Sequence, residues 1–123
     1  MASRPQLAQA PVIIDGDMSA NIISTPTIIQ KLSMVSYSYS WSGSSPSGTV
    51  TVEVSNDYRL NAAGEVENAG TWTALSGVSG AVSGNSGTGF IDVVQTAAYA
   101  IRTKYTATSG SGTLQATVNA KVA

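Results

Sequence analysis

Two stretches decide the fold: VSYSYSW at residues 35–41 and TVTVEV at residues 49–54. In the first, bulky residues alternate with serines, and the bulky ones are Val35, Tyr37, Tyr39 and Trp41. Successive side chains of a β-strand point to opposite faces, so this stretch has one apolar face and one serine face. The second stretch alternates in the same way. The Gly/Ser/Pro segment between them, residues 43–48, predicts a hairpin.

The C-terminal part of the chain repeats this pattern. Apolar residues alternate with polar ones over residues 99–106 and again over residues 114–122. The segment between them is SGSG at residues 109–112, which is typical turn material. We therefore predict a second hairpin.

Shorter apolar runs at residues 11–14, 22–23, 27–30, 71–75 and 90–95 are strand candidates, with a weaker one at 78–82. No convincing stretch has the three- and four-residue apolar spacing of a helix. About eight short strands separated by Gly/Ser/Pro turns are typical of an antiparallel sandwich. The sequence predicts an all-β fold, an antiparallel β-sandwich that is jelly-roll-like.

The length of 123 residues suits one domain. We divide it into an extended N-terminal arm at residues 1–15 and a single β-sandwich domain at residues 16–123. The arm lacks the apolar core of a secretory signal, and no segment has the length of a membrane helix. We expect the arm to contact a partner, and its candidate contact residues are Arg4, Pro5, Leu7 and Pro11.

Charge is sparse: Asp, Glu, Lys and Arg make up 11% of the residues and the net charge is −1. Nucleic-acid binding needs clustered cations, and the six basic residues are scattered, so we expect no nucleic-acid partner. Only Arg102 and Lys104 lie close together, on one face of a predicted strand. We interpret that face as a solvated outer face.

The chain has no cysteine and no histidine. Ser-His-Asp and Cys-His catalysis, ordinary zinc sites and disulfides are therefore excluded. Stability must come from packing or from oligomerisation. We expect neither enzymatic activity nor a cofactor.

Two close carboxylate pairs remain as candidates for chemistry, Asp15 with Asp17 and Glu65 with Glu67. Neighbouring residues of a turn rarely provide the cleft geometry of a glycosidase. Together with Asp57 they could supply oxygen ligands for Ca²⁺. We favour a turn with Asx hydrogen bonds at residues 15–17.

The longest excursion between strands is SNDYRLNAAGEVENAG at residues 55–70. It holds four of the thirteen charged residues, and long loops of compact domains are often functional or mobile. We take its polar and aromatic residues as candidate exposed-loop contacts, namely Asp57, Tyr58, Arg59, Glu65 and Glu67.

The aromatic residues have two interpretations. Tyr37, Tyr39 and Trp41 on one strand face could form a platform for stacking sugars. In a sandwich of this size such a stripe more often belongs to the core, and we expect that here and for Trp72.

An ordered set of motifs resembles a group of small bacteriophage virion proteins. The motifs are SYSWSGSSPSGTVTVEVSND at residues 38–57, GTWTAL at 70–75, FIDVVQT at 90–96 and AYAIRTKYTATSGSGTLQATVNAKV at 98–122. The resemblance spans roughly residues 34–123. The stretch from SND to Trp72 is also similar to discoidin-like sugar-binding sandwiches.

The resemblance implies a structural virion component, such as a minor capsid, decoration or head-associated protein. Its partners would be copies of itself and other virion proteins, and it would be made in the host cytoplasm and reside in the virion. The alternative is a carbohydrate- or receptor-binding β-sandwich module, whose partner would be a surface glycan. Exposed rings of Trp72, Tyr58 or Trp41 beside the long loop would favour this alternative.

Overall fold

The computed structural model describes residues 12–29, 34–93 and 96–121. Within these ranges there is no helix, which confirms the all-β prediction for the described part of the chain. The strands are β1 (Val12–Asp17), β2 (Ile22–Ile23), β3 (Thr27–Ile28), β4 (Met34–Ser55), β5 (Arg59–Leu60), β6 (Val66–Asn68), β7 (Thr73–Val82), β8 (Ser86–Val93) and β9 (Ala100–Lys121).

Two long strands, β4 and β9, form the centre of the sheet. They pair antiparallel over their whole length, from Met34 opposite Lys121 to Ser55 opposite Ala100. The strands β1, β2 and β3 pair with β9, and β7 and β8 pair with β4. Only β5 and β6 lie off this sheet, as a two-stranded ribbon of their own.

The two predicted hairpins are wrong, because neither Gly/Ser stretch reverses the chain. Residues 43–48 and 109–112 lie within β4 and β9, where they pair with each other through Gly43 opposite Gly112 and Ser44 opposite Ser111. The ladder register shifts around Ser47, which marks an irregularity at the same place in both strands. Small residues allow the two strands to bend together there. The sequence could not distinguish this from a hairpin, because a hairpin would give the same alternation of apolar and polar residues before and after the Gly/Ser stretch.

The two halves of β4 and β9, before and after this irregularity, pair with different neighbouring strands. One half of the sheet has the order β1–β9–β4–β8, and in the other half β9 pairs with β2 and β3 while β4 pairs with β7. Buried residues from both halves join one hydrophobic cluster. This arrangement is consistent with a β-sandwich whose two layers share the long strands β4 and β9.

The core follows the predicted alternation. Val35, Tyr37 and Tyr39 of β4 are buried, while Ser38 and Ser40 between them are exposed. Beyond the Gly/Ser stretch the buried positions change from odd to even numbers, as at Val50 and Val52. The irregular stretch contains one residue more than strict alternation would allow. This extra residue shifts the alternation by one position, so the same face of the strand stays apolar on both sides of the stretch.

The predicted arm overlaps the sheet. Its last four residues, 12–15, lie in β1, which pairs with β9. The turn predicted at residues 15–17 lies further along the chain, since these residues belong to β1 and the turn follows at Met18 and Ser19. The candidate contact residues Arg4, Pro5, Leu7 and Pro11 lie outside the described residues.

Candidate functional site

The long segment between β4 and β7 is a structured ribbon. Asn61 closes its tip, because its Oδ1 accepts hydrogen bonds from the backbone N–H of Ala63 and of Glu65, at 2.9 and 3.0 Å. The backbone of Asn61 also donates to the Glu65 carbonyl. Side-chain hydrogen bonds of this kind supply acceptors for backbone N–H groups that have no backbone partner in a turn. The segment therefore projects from the sheet with a defined shape.

Asp57 fixes the base of this ribbon. One carboxylate oxygen, Oδ1, accepts hydrogen bonds from the Thr71 backbone N–H and from the Ser55 hydroxyl, both at 2.7 Å. The Ser55 hydroxyl in turn accepts from the Tyr58 N–H. The Thr71 N–H, followed by the Ser55 hydroxyl, holds the pKa of Asp57 below its usual range, because both donors stabilise the charged carboxylate. Asp57 thus ties the two ends of the segment together.

Asp57→Asn should remove part of the acid sensitivity of the fold. A carboxyl whose pKa is lowered by folding stabilises the folded state above its unfolded pKa, and this contribution is lost as the pH falls through the lowered pKa. The variant keeps an oxygen acceptor and has no such titration. Thermal melting from neutral pH down to about 2 should show a shallower acid decline for the variant than for the wild type. Superimposable curves would contradict this role of Asp57.

The structure separates the five predicted loop contacts. Four are exposed, namely Asp57, Arg59, Glu65 and Glu67. Tyr58 is different: it is only 7% exposed, so the prediction that it is an exposed contact is wrong. Its ring packs on that of Trp72, with 5.6 Å between the centroids, and this contact covers it.

Trp72 lies on the outer face of the sheet, where it covers an ion pair. The Arg102 guanidinium sits 4.3 Å from the centre of the indole ring, and its Nε donates to Glu53 at 2.8 Å. Glu53 and Arg102 are direct cross-strand partners in the β4–β9 ladder. Trp72 is half-buried outside the main hydrophobic cluster, and Arg102 is covered. The expectation of a core Trp72 and a solvated Arg102 is therefore wrong.

Glu53→Gln should lower the free energy of unfolding by about 1 to 2 kcal/mol, because it weakens a charge-assisted bond that is largely shielded from water. Glu67→Gln is the matched control. Glu67 also pairs with an arginine Nε, that of Arg59, but these side chains are 53% and 63% exposed, against 14% and 18% for Glu53 and Arg102. An exposed pair is worth little, so the control should change by less than about 0.5 kcal/mol. Urea denaturation measures both, and equal losses would contradict the assigned difference.

One carboxylate of each predicted pair is engaged in local structure. Asp17 accepts a hydrogen bond from the Ser19 N–H at 2.9 Å, which is the expected Asx bond and holds its pKa below the usual range. Glu67 pairs with Arg59. Within the described ranges, no three Asp, Glu, His or Cys side chains are grouped as metal ligands.

Asn56 lines two shallow depressions of about 360 and 350 Å³. Asp57 lines both of them, Thr71 lines the first, and Tyr99 and Arg59 line the second. Asn56 Oδ1 accepts from the Tyr99 N–H at 2.9 Å, which leaves the amide nitrogen as a donor at this position. Amide, carboxylate and phenol groups in one concave surface can bind a polar, hydroxyl-rich ligand.

The aromatic stripe of β4 belongs to the core. Tyr37 and Tyr39 are buried, and Trp41 packs partly against them, with its ring 5.9 Å from that of Tyr39. The core interpretation is confirmed for the two tyrosines. A stacking platform on this face of β4 would need rings that the structure buries.

An open sheet edge is the feature that sequence reasoning missed. Among the described residues, β7 and β8 pair only with β4, so their other edges are free. Phe90 of β8 is 64% exposed on the outer face. The signal was present in the sequence, because residues 73–91 include no charged residue and no proline.

In the described part of the chain there is no helix that could cross a membrane. Comparison with models of known protein families gives no match, and neither does comparison with curated proteins.

Proposed function

We propose that the chain is a structural component of a bacteriophage virion, a minor capsid, decoration or head-associated protein without catalytic activity. It would act by self-association and by binding to neighbouring virion proteins. The sequence resemblance over residues 34–123 is one support. The observation that carries the proposal is the order of the strands.

The strand order supports a jelly roll, which would be the finer description of the fold. With the β5–β6 ribbon left out, the sheet can be counted as eight segments in chain order, where β2 and β3 together are the second and β4 and β9 are each divided at the Gly/Ser stretch. One half of the sheet then has the order 1-8-3-6 and the other the order 2-7-4-5. Jelly rolls with such pairs of four-stranded sheets are typical of viral capsid and lectin domains.

The surface chemistry agrees with an assembly role. The sheet half that contains β8 presents Ser38, Ser40, Thr88 and Gln115 outward, with few charges. Protein interfaces are depleted in charge at their centre, so such a surface can be buried against a neighbour at low desolvation cost.

The test is the presence of the chain in particles. Particles purified from a culture that produces the protein should contain it in a fixed ratio to the main shell protein by peptide mass spectrometry. Antibodies against the recombinant chain should label intact particles in electron micrographs. If the protein is made in the cells and absent from the particles, the proposal fails.

The arm at residues 1–15 is assigned to contacts with other virion proteins. Removal of residues 1–11 spares β1, so the sheet should form. The shortened chain should no longer bind to particles that lack the protein. Normal binding would show that Arg4, Pro5, Leu7 and Pro11 are not contact residues.

A carbohydrate-binding module is the second candidate. The second of the two depressions lined by Asn56 favours it, because that depression combines the Asn56 amide with the exposed Asp57 carboxylate and Tyr99. The burial of Tyr58 speaks against a broad stacking platform. A glycan array probed with the wild type and with Asn56→Ala tests it. Binding that the substitution abolishes would support this function, and silence of the array would exclude it.

A further inference from the structure

We propose that two copies of the chain pair through the free edge of β8, antiparallel and centred on Phe90, to form a continuous sheet across a two-fold axis. This inference rests on the proposed function as a self-associating protein and names the surface involved. The partner is a second copy of this chain.

The β8 edge lacks the features that normally prevent edge pairing. Natural edge strands are blocked by lysine, proline, bulges or shortness. The strand β8 has eight residues, SGTGFIDV, with one charge and no proline. At the opposite edge of the same sheet half, β1 carries Asp15 and Asp17 and a register irregularity between Val12 and Ile14. Among the residues that the structure describes, the β1 edge is therefore protected and the β8 edge is open.

Phe90 gives the β8 edge an exposed apolar surface that favours association. Its ring is 64% exposed and stands opposite Ser38, on a face where its neighbours on β8 are Thr88 and Asp92. A large ring among small polar groups leaves apolar surface in water, and burying it against another ring is favourable.

On its inward face, β8 has glycines on either side of Thr88. Gly87 and Gly89 lie opposite Trp41 and Tyr39, and a Cβ at either glycine would overlap those rings. Glycine within a strand often marks a position where another group approaches the backbone closely. The rings of Tyr39 and Trp41 fill the space beneath them.

A second copy of β8 satisfies the chemistry of this edge. In an antiparallel pair centred on Phe90, each Phe90 lies opposite the Phe90 of the second copy. Thr88 lies opposite Asp92, and Ile91 lies opposite Gly89. The two Asp92 carboxylates are kept apart and each faces a hydroxyl. A two-fold axis makes this single patch self-complementary, as in the commonest class of homodimer.

Single cysteines test the register, since the natural chain has none. Directly opposed strand residues have Cα atoms about 4.5 to 5.5 Å apart, within the range of a disulfide. Phe90→Cys should therefore form covalent dimers under mild copper-phenanthroline oxidation. Thr88→Cys alone should not, because two copies of residue 88 would lie about 13 Å apart. An equal mixture of the Thr88→Cys and Asp92→Cys proteins should cross-link. Failure of the mixture of Thr88→Cys and Asp92→Cys proteins to cross-link would overturn the proposal, because both of these variants keep the Phe90 ring.

Light scattering on a sizing column tests the contact without cysteines. The wild type should have twice the chain mass of 12.5 kDa, and Phe90→Asp should have the mass of one chain. Val66→Asp is the control, because Val66 is 57% exposed on the ribbon away from this edge, and it should remain a dimer. Circular dichroism confirms that each variant is folded.

Two outcomes separate this inference from the proposed function. If Phe90→Asp remains oligomeric, the edge contact is wrong while self-association stands. If the mixture of Thr88→Cys and Asp92→Cys proteins cross-links only after residues 1–11 are removed, the arm rather than a second β8 occupies the edge in the full chain, and the inference is again overturned. Particle incorporation is measured separately and does not depend on either result.

Discussion

Gly110→Ala should lower the free energy of unfolding by about 2 to 4 kcal/mol. Gly110 has a φ of +80°, a conformation that costs an L residue roughly 1 to 2 kcal/mol. The added Cβ would also overlap the Ser45 carbonyl and approach the Pro46 Cα. These are backbone atoms of the other long strand, so they cannot move aside as a flexible side chain would.

Gly84→Ala is the matched control for Gly110→Ala. Gly84 has a φ of +82°, and a Cβ there would meet no atom within 4 Å. This variant should lose only about 1 to 2 kcal/mol, the cost of the left-handed conformation alone. Urea denaturation with an unchanged slope measures both. The difference between the two variants isolates the close approach of β9 to residues 45–46.

Equal losses in the two glycine variants would contradict the bent ladder. In the hairpin predicted from the sequence, residues 109–112 form a turn of their own and do not touch residues 45–46. Gly110→Ala would then cost only its conformational strain. The comparison therefore distinguishes two long bent strands from two hairpins.

The alternation of apolar residues predicted the faces of the strands correctly. Val35, Tyr37 and Tyr39 are buried as expected, because a period of two fixes the face of each side chain whatever the strand is paired with. The same period gave no information about connectivity. Gly/Ser stretches allow a chain either to reverse or to bend, and only the mutual pairing of residues 43–44 with 111–112 decides between these.

The candidate site was predictable where charge alone determined exposure. Asp57, Arg59, Glu65 and Glu67 are exposed, as charged loop residues usually are. The position of Tyr58 depends on the hydroxyl of Ser55, which turns the chain at the base of the ribbon. The shielding of Arg102 depends on Trp72, thirty residues away in the chain. Such contacts arise from the fold and have no local signature.

For the open β8 edge, the sequence contained the relevant composition but not the position of the strand in the sheet. Residues 73–91 have no charge, which is unusual for a surface segment. Whether an uncharged strand lies at the centre or at the edge of a sheet depends on its neighbours. The pairing of β7 and β8 with β4 alone gives this composition its meaning as a surface for association.

Tyr105→Ala should lower the free energy of unfolding by about 3 to 5 kcal/mol, the usual cost of deleting a buried aromatic ring. Tyr105 is fully buried in β9 and stands opposite Val50. Its ring lies directly against the backbone at Gly48, where a Cβ would be 2.7 Å from two ring carbons. Because Gly48 has no side chain that could fill the space, the cavity left by alanine should not collapse.

Tyr105→Phe separates the ring from its hydroxyl and should be neutral or stabilising by up to about 1 kcal/mol. The Tyr105 hydroxyl is buried and has no hydrogen-bond partner among the described residues, and the same holds for Tyr37. A buried hydroxyl without a partner loses its bond to water on folding, so its removal relieves a cost. Thermal and urea unfolding of the two variants should therefore move in different directions or by very different amounts. A large loss in Tyr105→Phe would mean that the hydroxyl has a partner, such as a buried water, and that the core next to Gly48 is held partly by polar contacts rather than by ring packing alone.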